Sequence, residues 1–164
     1  MHYLVDGYNL LFYLSEDIRN FEQKRYEVIE LLETKLSHVK LNITVVFDGA
    51  HHFGEESGLH YKPSLQIAFS PKGQTADDYI LEKIEYTPYP ADFTIVTSDK
   101  ALARQCREKG SHTKSISSFL NWISKKSEKT QKPLKEKFTE TDEDFERLLK
   151  SFEKKWKQDF KDKK

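Results

Sequence analysis

The sequence predicts an α/β fold with a mostly parallel sheet, and three observations carry that reading. Short apolar runs rich in β-branched and aromatic residues recur along residues 1–123, each too short to be a buried helix. Stretches with helical spacing of apolar residues stand between them. The first two runs each end at an Asp-Gly pair, so the chain leaves a buried strand through a carboxylate. Strands that alternate with helices return to the same end of a sheet, which makes the pairing parallel.

"HYLV" (2–5) reads as the first strand, with Asp6 closing it and Gly7 letting the backbone turn tightly. "FEQKRYEVIELLETKLSHV" (21–39) places Phe21, Tyr26, Ile29, Leu32, Leu36 and Val39 at helical spacing. "NITVVF" (42–47) is a second strand, closed by Asp48 and Gly49, and "AHHFGEESGLHYKP" (50–63) reads as a loop. "SLQIAF" (64–69) is a third strand, followed by a turn and a helix over 75–86 with Thr75 as N-cap. "DFTIVT" (92–97) is a fourth strand, and the helix over 98–110 stops at Gly110. "HTKSI" (112–116) gives a short fifth strand and "SSFLNWIS" (117–124) the last helix of the domain.

Three segments follow: a domain over 1–124, a charged linker over 125–138 and an extension over 139–164. In the extension, residues 141–160 form an amphipathic helix whose stripe is Phe145, Leu148, Leu149, Phe152, Trp156 and Phe160. Thr141 and Asp144 suit its capping box. The expectation is that this helix folds back onto its own domain and that the protein is a monomer.

The chain has 27 Lys+Arg and 27 Asp+Glu, which argues against coating nucleic acid by charge alone. The balance is uneven: residues 124–164 hold 14 basic against 10 acidic residues, leaving 13 against 17 in residues 1–123. A single cysteine, Cys106, excludes an internal disulfide and a cysteine zinc cluster. No apolar run approaches the ~20 residues of a membrane span, so the expectation is a soluble protein of the reducing cytoplasm.

Four carboxylates share one address. Asp6, Asp48 and Asp99 follow the first, second and fourth strands, and Asp77 lies in the first turn of the helix after the third. In a parallel sheet those strand ends form one edge, where ligands bind. Each residue has a plainer use: Asp6-Gly7 and Asp48-Gly49 suit turns, Asp77 and Asp78 suit a helix dipole, and Ser98-Asp99 suits a cap. One metal site explains all four together more economically than four separate caps. Hard carboxylate oxygens with little His or Cys select Mg²⁺ or Mn²⁺, ions that commonly serve phosphate-ester chemistry. Asn9 offers an amide to orient a water or a phosphate. Tyr8 either packs or presents its ring to a base. Lys62, Lys72, Lys100 and Arg104 are candidates for phosphate contact, or ordinary surface cations. Ser98 lacks a His/Asp partner set and is assigned to substrate binding rather than nucleophilic attack. His51, His52 and His60 have no zinc-site spacing and suit substrate contact better.

"LVDGYNLL", "VVFDG", "GQTADDYILEKI" and "IVTSDKALARQCREKG", in this order over residues 2–123, resemble the motifs of the YacP-like NYN-domain family of PIN-like nucleases. The resemblance implies a three-layer α/β/α domain and a metal-dependent endoribonuclease. It also implies RNA as substrate and a ribosome-associated setting. It makes Asp6, Asn9, Asp77 and Asp99 the acidic centre, with Asp48 at the acidic end of the second strand. Gln74 stands where the family commonly has Glu, and Thr113 where it tends to carry Arg. A non-catalytic RNA- or ribosome-binding adaptor is the alternative, but an adaptor has no need of mutually repelling carboxylates. An aspartyl-phosphate phosphatase needs a second Asp at the position of Tyr8.

Overall fold

The first apolar run forms β1 (His2–Asp6) and lies inside a six-stranded sheet of order β3-β4-β2-β1-β5-β6. The computed structural model describes residues 1–15, 21–49 and 59–130. β1 pairs in parallel with β2 (Asn42–Phe47) on one side and β5 (Phe93–Val96) on the other. β4 (Gln66–Phe69) continues the parallel sheet beyond β2, and β6 (His112–Lys114) beyond β5. Only β3 (Leu59–Tyr61) runs antiparallel, against β4.

Alternate side chains of each strand point to opposite faces, and both faces are covered. Val5, Val45, Phe47, Ile67, Phe69 and Val96 pack with α1 (Gly7–Leu14), α2 (Phe21–Leu36) and α5 (Ile116–Thr130). Leu4, Val46, Ala68 and Ile95 pack with α3 (Ala76–Glu85) and α4 (Lys100–Glu108) through Ile80, Ile84, Leu102 and Cys106. This is the expected three-layer α/β/α architecture. Burial on both faces is why the strands read as continuous apolar runs: Val45, Val46 and Phe47 are all 0% exposed.

Three elements differ from the sequence reading. Residues 7–14 form a helix rather than a turn. Asp6 caps it by accepting a hydrogen bond from the Asn9 backbone N–H at 3.0 Å, and Leu10, Leu11 and Leu14 bury its inner face. Gly7 is required by proximity: a Cβ there would meet the Phe47 ring at 2.4 Å and the Val46 carbonyl oxygen at 2.7 Å. β3 lies in the segment read as loop. α5 continues past residue 124 to Thr130, because Ile123 and Ser127, one turn apart, remain buried.

The helix expected over 141–160, the linker beyond 130, and His51 and His52 lie outside the described residues. Among the described residues no helix is long and apolar enough to cross a membrane.

Candidate active site

Because β2, β1 and β5 are adjacent and parallel, their C-terminal ends open on one edge. Asp6 occupies the middle of it. Its carboxylate is buried, 2% exposed, and accepts from the Asn9 N–H, the Asn9 side-chain amide and the Thr97 hydroxyl at 3.0 Å, with the Tyr8 N–H also turned toward it. Burial raises the Asp6 pKa, opposed by those hydrogen bonds. Asn9 therefore acts on Asp6 itself, one helical turn away.

Thr97, the residue after β5, links two of the acids. Its buried hydroxyl donates to Asp6 and accepts from the Asp99 N–H at 3.0 Å. Asp99 in turn caps α4, accepting from the Ala101 and Leu102 N–H groups at 2.6 and 3.0 Å. Thr97 is a site residue that the sequence reading did not single out. Its signal was a polar residue ending an otherwise apolar strand, directly before Ser98-Asp99.

Asp48 leaves β2 and accepts a hydrogen bond from the Ala76 N–H, the first residue of α3. Ser70 fixes this approach. Its hydroxyl accepts from the Gly49 N–H at 3.1 Å and donates to the Gln74 carbonyl at 2.7 Å. Gly49 must be glycine because a Cβ would lie 2.0 Å from the Ser70 carbonyl oxygen. Asp77 follows Ala76 and is half-buried. Its pKa is pushed up to about 6, first by burial and then by the charges of Asp6, Asp99, Asp48 and Asp78. Those causes name the cluster. Asp6, Asp48 and Asp99 each lie within electrostatic reach of Asp77, which bears their combined repulsion.

The donor set is wholly carboxylate oxygen, which suits a hard divalent cation, and the repulsion at Asp77 is what such a cation relieves. Among the described residues no three His, Cys, Asp or Glu side chains are grouped closely enough to hold an ion as they stand. Asp6, Asp48 and Asp99 instead spend oxygens on backbone and side-chain donors. The chemistry of the set fits the ion, though these side chains do not converge on one point as they stand.

The remaining candidates are placed unevenly. Tyr8 stacks on Phe21 with ring centroids 4.9 Å apart and meets Phe47 edge-on at 6.0 Å. Its hydroxyl pKa is pushed up to about 12 by burial and then by Asp48, with Arg25 opposing. Ser98 and Lys100 are exposed beside Asp99, and Lys72 is exposed in the turn before α3. Arg104 lies one turn along α4 and pairs with Glu108 at 3.2 Å.

Lys62 is a correction. Because β3 is antiparallel, Lys62 falls beside the N-terminal end of β4, away from the acidic edge, and pairs with Glu30 at 3.4 Å. Thr113 accepts a hydrogen bond from Arg107 at 2.8 Å. Cys106 is a buried thiol pushed up to about 11, by burial first, so it is a core residue and no nucleophile.

The fold has solved counterparts. The crystal structure of Rae1 (YacP) from Bacillus subtilis is similar with a TM-score of 0.62 and 21% identity, covering 99% of this chain and 89% of that one. A structure of a mutant of the same Bacillus subtilis protein gives a TM-score of 0.60 and 23% identity, over 79% of this chain and 78% of that one. No curated protein matches the chain. The family model of the YacP-like NYN domain matches residues 3–162, nearly the whole sequence. The chain thus belongs to the YacP-like NYN domain family, whose fold is that of the PIN-like nucleases.

Proposed function

We propose that this protein is a divalent-metal-dependent endoribonuclease that hydrolyses phosphodiester bonds of RNA at the edge formed by β2, β1 and β5. One observation carries the reading: Asp77 is pushed up to about 6 by burial and by three carboxylates arriving from separate elements. A fold maintains such repulsion at a cost, and family membership in a PIN-like nuclease fold supplies a use for it.

Asp77 and Asp6 are the residues proposed to hold the ion, with Asp99 and Asp48 completing its surroundings. A bound Mg²⁺ or Mn²⁺ would supply charge neutralisation at the phosphoryl oxygens and the leaving oxygen. The chain's own groups do the positioning. Asn9 and Thr97 fix both oxygens of Asp6, so this carboxylate enters the site in one orientation. Thr97 also sets the start of α4, and with it Asp99. Asp48, by holding the Ala76 N–H, fixes the first turn of α3 and so the place of Asp77. Exposed Lys72, Lys100 and Ser98 stand where the RNA backbone would approach.

The test is incubation of the purified full chain with end-labelled structured and unstructured RNA in Mg²⁺, in Mn²⁺ and in EDTA. Internal cuts that require the metal are expected. Binding to RNA without any cut under these conditions would favour the adaptor instead.

A further inference from the structure

Arg25 is the only Lys or Arg that is buried among the described residues, at 4% exposure. It sits on the inner stripe of α2 with Val28, Leu32 and Leu36. Its guanidinium lies over the Phe69 ring at 5.2 Å and the Phe47 ring at 5.7 Å. Those rings end β4 and β2, so the cation stands toward the C-terminal edge of the sheet, by the strand end that Asp48 follows. Tyr8 meets the same Phe47 ring edge-on at 6.0 Å, and Arg25 and Asp48 both act on its hydroxyl, in opposite senses. Among the described residues no acceptor reaches the buried Nη1.

Ring faces stabilise the positive charge but leave this N–H donor without a directed acceptor. A guanidinium packed on two ring faces keeps its charge and its donors, and its planar fork matches the oxygens of a phosphate. The acidic edge repels a polyanion, so a strand that crosses it needs a fixed cation alongside. We propose that Arg25 is a phosphate-binding residue for the RNA strand: its guanidinium turns outward from the ring faces, and the orphan Nη1 gains as acceptor a backbone phosphate that flanks the scissile one. This rests on the nuclease reading for its substrate, yet it can fail separately.

The experiment uses the full chain carrying Asp77→Asn, which keeps RNA intact, at Mn²⁺ concentrations high enough to fill its weakened site, with and without Arg25→Gln or Arg25→Lys. Binding is measured by fluorescence anisotropy to a labelled RNA oligonucleotide and to a series with one phosphate at a time replaced by a neutral methylphosphonate. With Arg25 present, one methylphosphonate position is expected to weaken binding roughly tenfold. Arg25→Gln should weaken binding to the unmodified RNA by a similar factor, become indifferent to that position, and lower the salt slope by about 0.7. Arg25→Lys, which keeps the charge without the fork, should fall between the two. A flat methylphosphonate scan overturns the proposal, even if Arg25→Gln fails to fold. So does a folded Arg25→Gln, or a folded Arg25→Lys, that keeps full sensitivity at every phosphate. Earlier melting of Arg25→Gln with unchanged RNA affinity also overturns it, since the guanidinium would then serve the fold alone. Metal-dependent cutting by the unsubstituted chain with Arg25-independent binding defeats only this inference. Arg25-dependent phosphate binding without cutting defeats only the nuclease reading.

Discussion

Asp77 is where charge and function meet most directly. A carboxyl whose pKa rises on folding weakens the fold when it ionises. The penalty is absent below about pH 4 and complete above about 6, given a shift from 3.8 to about 6. The full shift would correspond to ~3 kcal/mol, but the group is half-exposed and solvent screening reduces this to about 1 kcal/mol. Asp77→Asn should therefore raise the melting temperature by about 2–4 °C at pH 7.5 and leave it unchanged at pH 3.5, in paired calorimetric scans. The same variant should lose more than about 100-fold in cleavage rate. Thr97→Val makes the opposite trade. It deprives buried Asp6 of a donor and frees Asp99, so it should cost about 1–2 kcal/mol in urea denaturation and slow single-turnover cleavage roughly 10- to 100-fold. A Thr97→Val protein with native rate and stability would remove the link between the two acids. The carboxylates were legible because strand-end acids are conspicuous against apolar runs. Thr97 was not, since a threonine fits a strand without any special duty. Arg25 had a readable signal, a cation in phase with Val28, Leu32 and Leu36.

Among the elements, the main strands and their layering could be reached from sequence because both-face burial writes itself as unbroken apolar runs. α1 could not. Gly7 and Asn9 have poor helix propensity, and the motif Asp-Gly-Tyr-Asn resembles a turn. What makes it a helix is tertiary: Asp6 caps it from the end of β1, and Leu10, Leu11 and Leu14 find the core. The glycines separate two requirements. At Gly7 the backbone is ordinary but the space is filled by Phe47 and the Val46 carbonyl, so Gly7→Ala should cost about 2–3 kcal/mol or more and shift α1 with Asn9. Gly73 has open space but a φ of 89°, so Gly73→Ala should cost only about 1 kcal/mol of backbone strain. Denaturant melts of the two variants check the order, and equal costs would mean that α1 yields easily to the added methyl group. The antiparallel β3 escaped notice for a different reason. Three residues among Gly and His carry no period, and the error moved Lys62 to the wrong end of the sheet.

At the scale of the molecule, the domain and its extension differ in charge: 13 basic against 17 acidic residues in 1–123, and 14 against 10 beyond. RNA bound at an acidic edge should need the divalent ion, and affinity without it should be weak and fall steeply with salt. Anisotropy titrations with and without Mn²⁺ at low and high KCl check this; tight, salt-insensitive binding in EDTA would point to the adaptor. The most direct measurement is calorimetric titration of Mn²⁺ into the full chain and its Asp77→Asn variant at pH 5 and pH 7.5. With the Asp77 pKa at about 6, only about one molecule in ten is ionised there at pH 5, so affinity should be about tenfold weaker than at pH 7.5. The variant should bind far more weakly at both. Equal Mn²⁺ binding by the variant, or no binding by the unsubstituted chain at pH 7.5, would contradict a metal site built on these carboxylates.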